Sequence, residues 1–216
     1  MIYNNKGRNV KDGQLHKVER TISAGTILTY NTNYIGWLYF YNLASYSRAI
    51  IVPNFTYTDS LNVLLVLNGV GVFGRMISNH LADFVGPLNM MIPTSIIAGI
   101  AIFSWMVVRT PGQLYAWTVV YGIIAGSMPS LFLAGISSLT SDLSQRGART
   151  GMNFTIISLA TLTGDPIGGT LIEGDGGNYI KAQAFMGACF FLGGDFVFAA
   201  RLSRQLNAKR DWLIKI

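Results

Sequence analysis

The chain has 216 residues, of which 50% are hydrophobic and only 12% charged, and it carries a net charge of +6. A water-soluble domain carries roughly a quarter charged residues, so these charges are too few to coat a soluble globule of this size. The basic residues flank apolar runs, which argues for membrane orientation and against a nucleic-acid surface, and a single cysteine, Cys189, excludes a disulfide framework or a thiolate metal site within one chain.

Residues 1–29 are polar, lack the apolar core of a secretory signal peptide and read as a cytosolic loop or tail. Residues 30–203 read as a bundle of six transmembrane helices, and residues 204–216 as a basic cytosolic tail. The first span, 30–45, is diluted by Asn31, Asn33, Asn42 and several tyrosines. The second, 59–78, carries LNVLLVLNGVGVFG and closes at Arg75, with Asp59 or Ser60 placed to cap its start. The third, 88–108, and fourth, 113–139, hold no acid or base and are joined by the short turn Arg109-Thr110-Pro111-Gly112, which predicts an antiparallel hairpin. The fifth, 150–172, and sixth, 182–200, are joined by the glycine-rich loop EGDGGNYIK. Six spans return both ends to one side. With that register, 13 of the 16 Lys and Arg residues fall on the side of the termini and only Arg48, Arg109 and Lys181 on the other, which predicts cytosolic termini.

Small residues four apart, Gly122 with Gly126 and Gly164 with Gly168, permit close helix packing. Pro93, Pro129 and Pro166 lie inside spans and are expected to kink or interrupt them. Cys189 reads as a small buried or lipid-facing residue.

An ionisable group within a span is costly and is therefore a functional candidate whose partner must be sought. Arg75 shares a helix face with Asn68 and Gly71, at spacings of three and four. Two roles stand for it: a fork for a solute carboxylate with Asn68 beside it, or an interfacial anchor that snorkels or pairs with Asp83. Asp165 lies about 11 Å below the outer end of its span and is followed by Pro166 amid Gly164, Gly168 and Gly169. A helix broken there would offer freed backbone groups and a carboxylate to a coupling proton or cation, the alternative being an acid facing a wet vestibule. Asp195 reads as interfacial, close to Arg201. His16 and His80 have no acidic or cysteine neighbours at metal-ligand spacing, so no metal or other cofactor is expected. No nucleophile with a base is clustered in the spans, and the chain does not read as an enzyme.

The run GVGVFGRMISNHLADFVGPLN resembles the loop after the second helix of each half in the major facilitator superfamily, with Gly74, Arg75, Asp83 and Gly86 in the places that make a tight cytosolic turn and gate. Together with RGARTGMNFTIISLATLTGDPIGGTLI it is similar to the second half of the fungal monocarboxylate-porter-like family, a likeness that covers residues 34–202 and whose two motifs together are fairly specific. The resemblance implies an all-α fold that is half of a twelve-helix carrier, a small organic anion bound between the halves, alternating access, and a coupling proton in some members. It also implies that the N-terminal six helices are absent, lost or encoded elsewhere. Two departures stand out: where animal members carry an aspartate one turn before the arginine this chain has Gly71, and Asp165 stands where relatives usually have a small residue or proline. The alternative is a non-transporting membrane half that binds a partner.

Overall fold

The computed structural model describes residues 43–51, 55–139, 144 and 146–208. Among them six α-helices follow one another: α1 (Leu43–Ile50), α2 (Tyr57–Val85), α3 (Pro87–Trp105), α4 (Pro111–Leu139), α5 (Arg146–Glu173) and α6 (Ile180–Ala208). The fold is an all-α membrane bundle, and α2, α3, α4 and the stretch Ile180–Ala199 of α6 are each long and apolar enough to cross a bilayer. The 28-residue α5 is long enough but more polar, because threonines, glycines and asparagine interrupt its apolar residues. Most of the first predicted span lies outside the described residues, as do residues 1–29 and most of the basic tail.

Local chemistry sets where the helices begin and end. At the start of α2 the Thr56 hydroxyl accepts from the Asp59 N–H at 3.2 Å, while the Asp59 carboxylate accepts from the Thr56 N–H at 3.1 Å. Thr56 is therefore the cap and Asp59 its reciprocal partner, a correction to the placement of the cap on Asp59 or Ser60. The helix runs past Arg75 to Val85, where Gly86, at φ 97°, donates its N–H to the Ala82 carbonyl at 2.8 Å. Only a glycine adopts that backbone without strain. Pro87 then opens α3 at a position where its missing N–H costs nothing. The hairpin between α3 and α4 carries a second reciprocal cap: Gln113 accepts from the N–H groups of Arg109 and Thr110 at 3.1 and 3.2 Å.

The helices continue through Pro93, Pro129 and Pro166 without a break. The predicted interruption beside Asp165 is thus not present. A proline inside a membrane helix removes one backbone donor, and packing and local adjustment tolerate that loss.

Packing concentrates on two pairs, α2 with α4 and α3 with α6, with α3 against α4 linking them, whereas α5 packs only lightly against α6 and α4. One core lies at the end that carries the α3–α4 hairpin. There the Trp105, Trp117 and Tyr121 rings stack at centroid distances of 5.0 and 4.6 Å. Two of the buried polar tips bond to backbone: the Tyr46 hydroxyl donates to the Val108 carbonyl at 2.6 Å, and Trp117 Nε1–H to the Ala101 carbonyl at 2.7 Å. A second core, including Leu88, Met91, Leu131, Phe132 and Val197, closes the opposite end.

Outside these cores large apolar side chains are exposed. Leu65, Phe73 and Met76 on α2 are 70%, 64% and 67% exposed, a pattern suited to lipid or to further helices and not to water. Only 28% of the apolar stretch of α2 is buried, against 50% for α3, so α2 presents the broader uncovered face.

Candidate functional site

The site residues on α2 are positioned by its crossing with α4. Both helices leave the same end of the bundle, so they run in parallel, and their backbones meet with no side chain between them. A Cβ on Gly126 would lie 2.5 Å from both the Cα and the carbonyl oxygen of Gly71, and one on Gly74 would overlap the Ile123 carbonyl. The four-residue spacing of Gly122 and Gly126 on α4 sets both against α2: Gly122 faces the Leu67 carbonyl one turn above the Gly71–Gly126 contact.

Beside this contact, Arg75 donates its Nε–H to the carbonyl of Gly126 at 3.1 Å. Its side chain is exposed, and the two Nη groups have no protein partner among the described residues. Three residues beyond Gly126 stands Pro129, which has no N–H to give to the Ala125 carbonyl, so the α4 ladder is incomplete in the turn that Arg75 contacts. Asn68, two turns up α2, is also exposed and donates Nδ2–H to the Leu64 carbonyl of its own helix at 2.9 Å, which leaves its Oδ1 without a partner among the described residues. Asn68 and Arg75 therefore share an uncovered face about 10 Å apart along the axis. Gly71 turns away from that face into the α4 contact.

The remaining predicted positions are dispersed. Asp83 is exposed some 12 Å further along α2 than Arg75, and among the described residues no ion pair joins the two. Gly86 forms the α2–α3 turn, whereas Gly74 belongs to the helix crossing and lies well above that turn. The backbone of Asp165 is part of α5, and its side chain lies outside the described atoms. That helix packs lightly against α4 and α6 instead of against α2. Asp195 is exposed on α6, Cys189 is buried on the same helix, and His80 meets only the edge of Phe84, at 5.0 Å. Among the described residues no three His, Cys, Asp or Glu side chains group as a metal site.

Sequence reading missed the Gly126 carbonyl as the partner of Arg75, since a backbone acceptor has no letter of its own. The legible signal was the small-residue stripe opposite Gly71, whose close approach brings the α4 backbone within reach of Arg75.

No protein-family model matches the chain. A protein of Gibberella zeae named MFS-type transporter is 60% identical over 164 residues, which are 76% of this chain and 37% of that relative. The Aspyridones efflux protein apdF of Emericella nidulans is 28% identical over 180 residues, 79% of this chain and 37% of its own length. MFS-type transporter pynF of Aspergillus niger is 31% identical over 173 residues, 80% and 38% of the two chains. The matched stretch thus spans less than two fifths of each of these relatives. Their names support the major facilitator superfamily, an integral multi-pass membrane protein and a part in transmembrane transport, and they describe transporters and not enzymes.

Proposed function

We propose that this chain supplies the C-terminal six-helix half of a transporter that moves a small organic anion by alternating access, with Arg75 as the anion fork and Asn68 as a second polar contact on the same wall. The observation that carries this reading is the geometry of α2: a guanidinium held at its Nε, with both Nη groups uncovered, on the face that this chain leaves unpacked. A monocarboxylate, the class implied by the family resemblance, suits a planar fork of paired donors. The separation of about 10 Å between Arg75 and Asn68 favours an acid larger than acetate, since one solute is to touch both. The relative named for aspyridones efflux favours outward movement.

In this mechanism the acid is neutralised by Arg75, about 15 Å before the cytosolic end of α2, and steadied by the Asn68 amide, while the opposing half closes the other side. Asp165 on α5 is the proposed site of the coupling proton. Asp83 and Gly86 belong to the cytosolic gate, Gly86 making the turn and Asp83 free to engage the opposing half, while Gly74 permits the α2–α4 contact above it. The basic bias sets both termini in the cytosol.

The experiment is transport by a complete assembly carrying single substitutions. Arg75→Lys keeps the charge but loses the planar fork, and is expected to raise the KM for an organic acid such as benzoate about tenfold or more. Asp83→Asn is expected to slow turnover with little change in KM. Unchanged transport in both Arg75→Lys and Arg75→Ala would remove Arg75 from the solute path. The broad uncovered face of α2 also favours a second reading, a membrane half that binds a partner without transporting. Absence of solute movement in every assembly would select it.

A further inference from the structure

We infer that the Gly126 carbonyl is a positioning group that fixes the Arg75 guanidinium so that only its end-on edge, the pair of Nη groups, receives the acidic group of the solute. The inference rests on the reading of Arg75 as the anion fork and specifies how that fork is presented.

A guanidinium offers a carboxylate two useful paired edges: side-on, through Nε–H and one Nη–H, or end-on, through one N–H from each Nη. In this chain the Nε–H is already donated to Gly126 at 3.1 Å, so the side-on edge is occupied by backbone. The acceptor is well placed to keep it. Gly126 belongs to α4, and α4 meets α2 here without side chains in between, so the distance from the Arg75 backbone to the Gly126 carbonyl is set by helix-to-helix contact. Arginine has long, rotamer-rich geometry, and a bond at Nε leaves only rotation that carries the Nη groups as a rigid plate. Arg75 and Asn68 are both exposed and stand seven residues apart, on one side of α2.

The chemical consequence is a preference about the solute. An end-on fork takes a flat, two-oxygen acid whose axis continues that of the arginine, and it rejects ligands that need Nε.

The test uses the chain with 15N-labelled arginine, co-assembled in lipid nanodiscs with the unmatched remainder of the Gibberella zeae relative, and benzoate as the probe. The Arg75 signals are assigned by their loss in Arg75→Lys. The expected result has two parts. Without benzoate the Arg75 Nε–H exchanges with water about tenfold more slowly than that of the exposed Arg109, as a bond between a charged donor and a carbonyl requires. With benzoate the Nη signals shift while the Nε signal and its protection stay. In Gly126→Ala, whose Cβ would press on Gly71, the protection is expected to vanish, whereas Gly122→Ala, with a milder 3.0 Å approach to Leu67, keeps most of it.

Rapid Nε–H exchange in the unsubstituted chain would overturn the inference whatever the variants do. So would a benzoate-induced shift of Nε together with one Nη, the signature of side-on binding. A protected Nε with Nη signals blind to benzoate would instead remove the anion-fork reading, and the end-on claim with it, while leaving the Gly126 contact in place.

Discussion

Gly69 and Gly74 lie on the same helix in opposite environments, and they separate the conformational cost of glycine from its packing use. A Cβ on Gly69 would meet nothing within 4 Å, whereas one on Gly74 would overlap the Ile123 backbone, which cannot yield as a flexible side chain does. Gly69→Ala is therefore expected to stabilise the chain by roughly 0.5–1 kcal/mol, the helix-propensity gain. Gly74→Ala is expected to destabilise it by about 1–3 kcal/mol, the usual range for overpacking. Thermal unfolding in detergent measures both, and equal melting temperatures for the two variants would show that the α2–α4 contact is looser than described. Sequence reading identified small-residue packing at Gly122 and Gly126 but assigned Gly74 to the cytosolic turn. The motif spacing that suggested the turn holds no information on the register between α2 and α4, and only that register reveals the crossing.

Among the elements, the apolar runs located α2, α3, α4 and α6 because lipid requires long continuous apolar stretches, and such stretches survive in composition alone. Their ends were less legible. The second span was expected to close near Ser78, yet α2 continues to Val85, since polar residues beyond the apolar run do not end a helix. Gly86, with its positive φ, does. The reciprocal cap of Thr110 and Gln113 was hidden within what read as a plain turn, although the T-P-G-Q spacing is its signature. Pro166 was read as a break, and the helix passes through it because one lost donor is a local defect. The element that departs most from its neighbours is α5, which is less apolar and packs lightly. Its amides are expected to exchange with deuterium earlier than those of α3, which is packed against both α4 and α6. Hydrogen-exchange mass spectrometry in nanodiscs checks this, and equal protection of α3 and α5 would mean that lipid holds α5 as firmly as protein contacts hold α3.

At the scale of the whole molecule, the described helices form two cores at opposite ends and leave a broad apolar face on α2, with Arg75 and Asn68 set into it. The candidate site was legible as residues, because a charged side chain in an apolar helix stands out, but not as geometry. The Nε bond to Gly126, the inward turn of Gly71 and the lack of an Arg75–Asp83 pair all depend on helix rotation. The central claim is that this wall works as half of a carrier and needs a second half to enclose the solute. Its most direct test is benzoate movement in proteoliposomes, comparing the purified chain alone with the chain co-reconstituted with the unmatched remainder of the Gibberella zeae relative. The account predicts saturable transport only in the co-reconstituted vesicles, reduced by Arg75→Ala; saturable transport by the chain alone would contradict it.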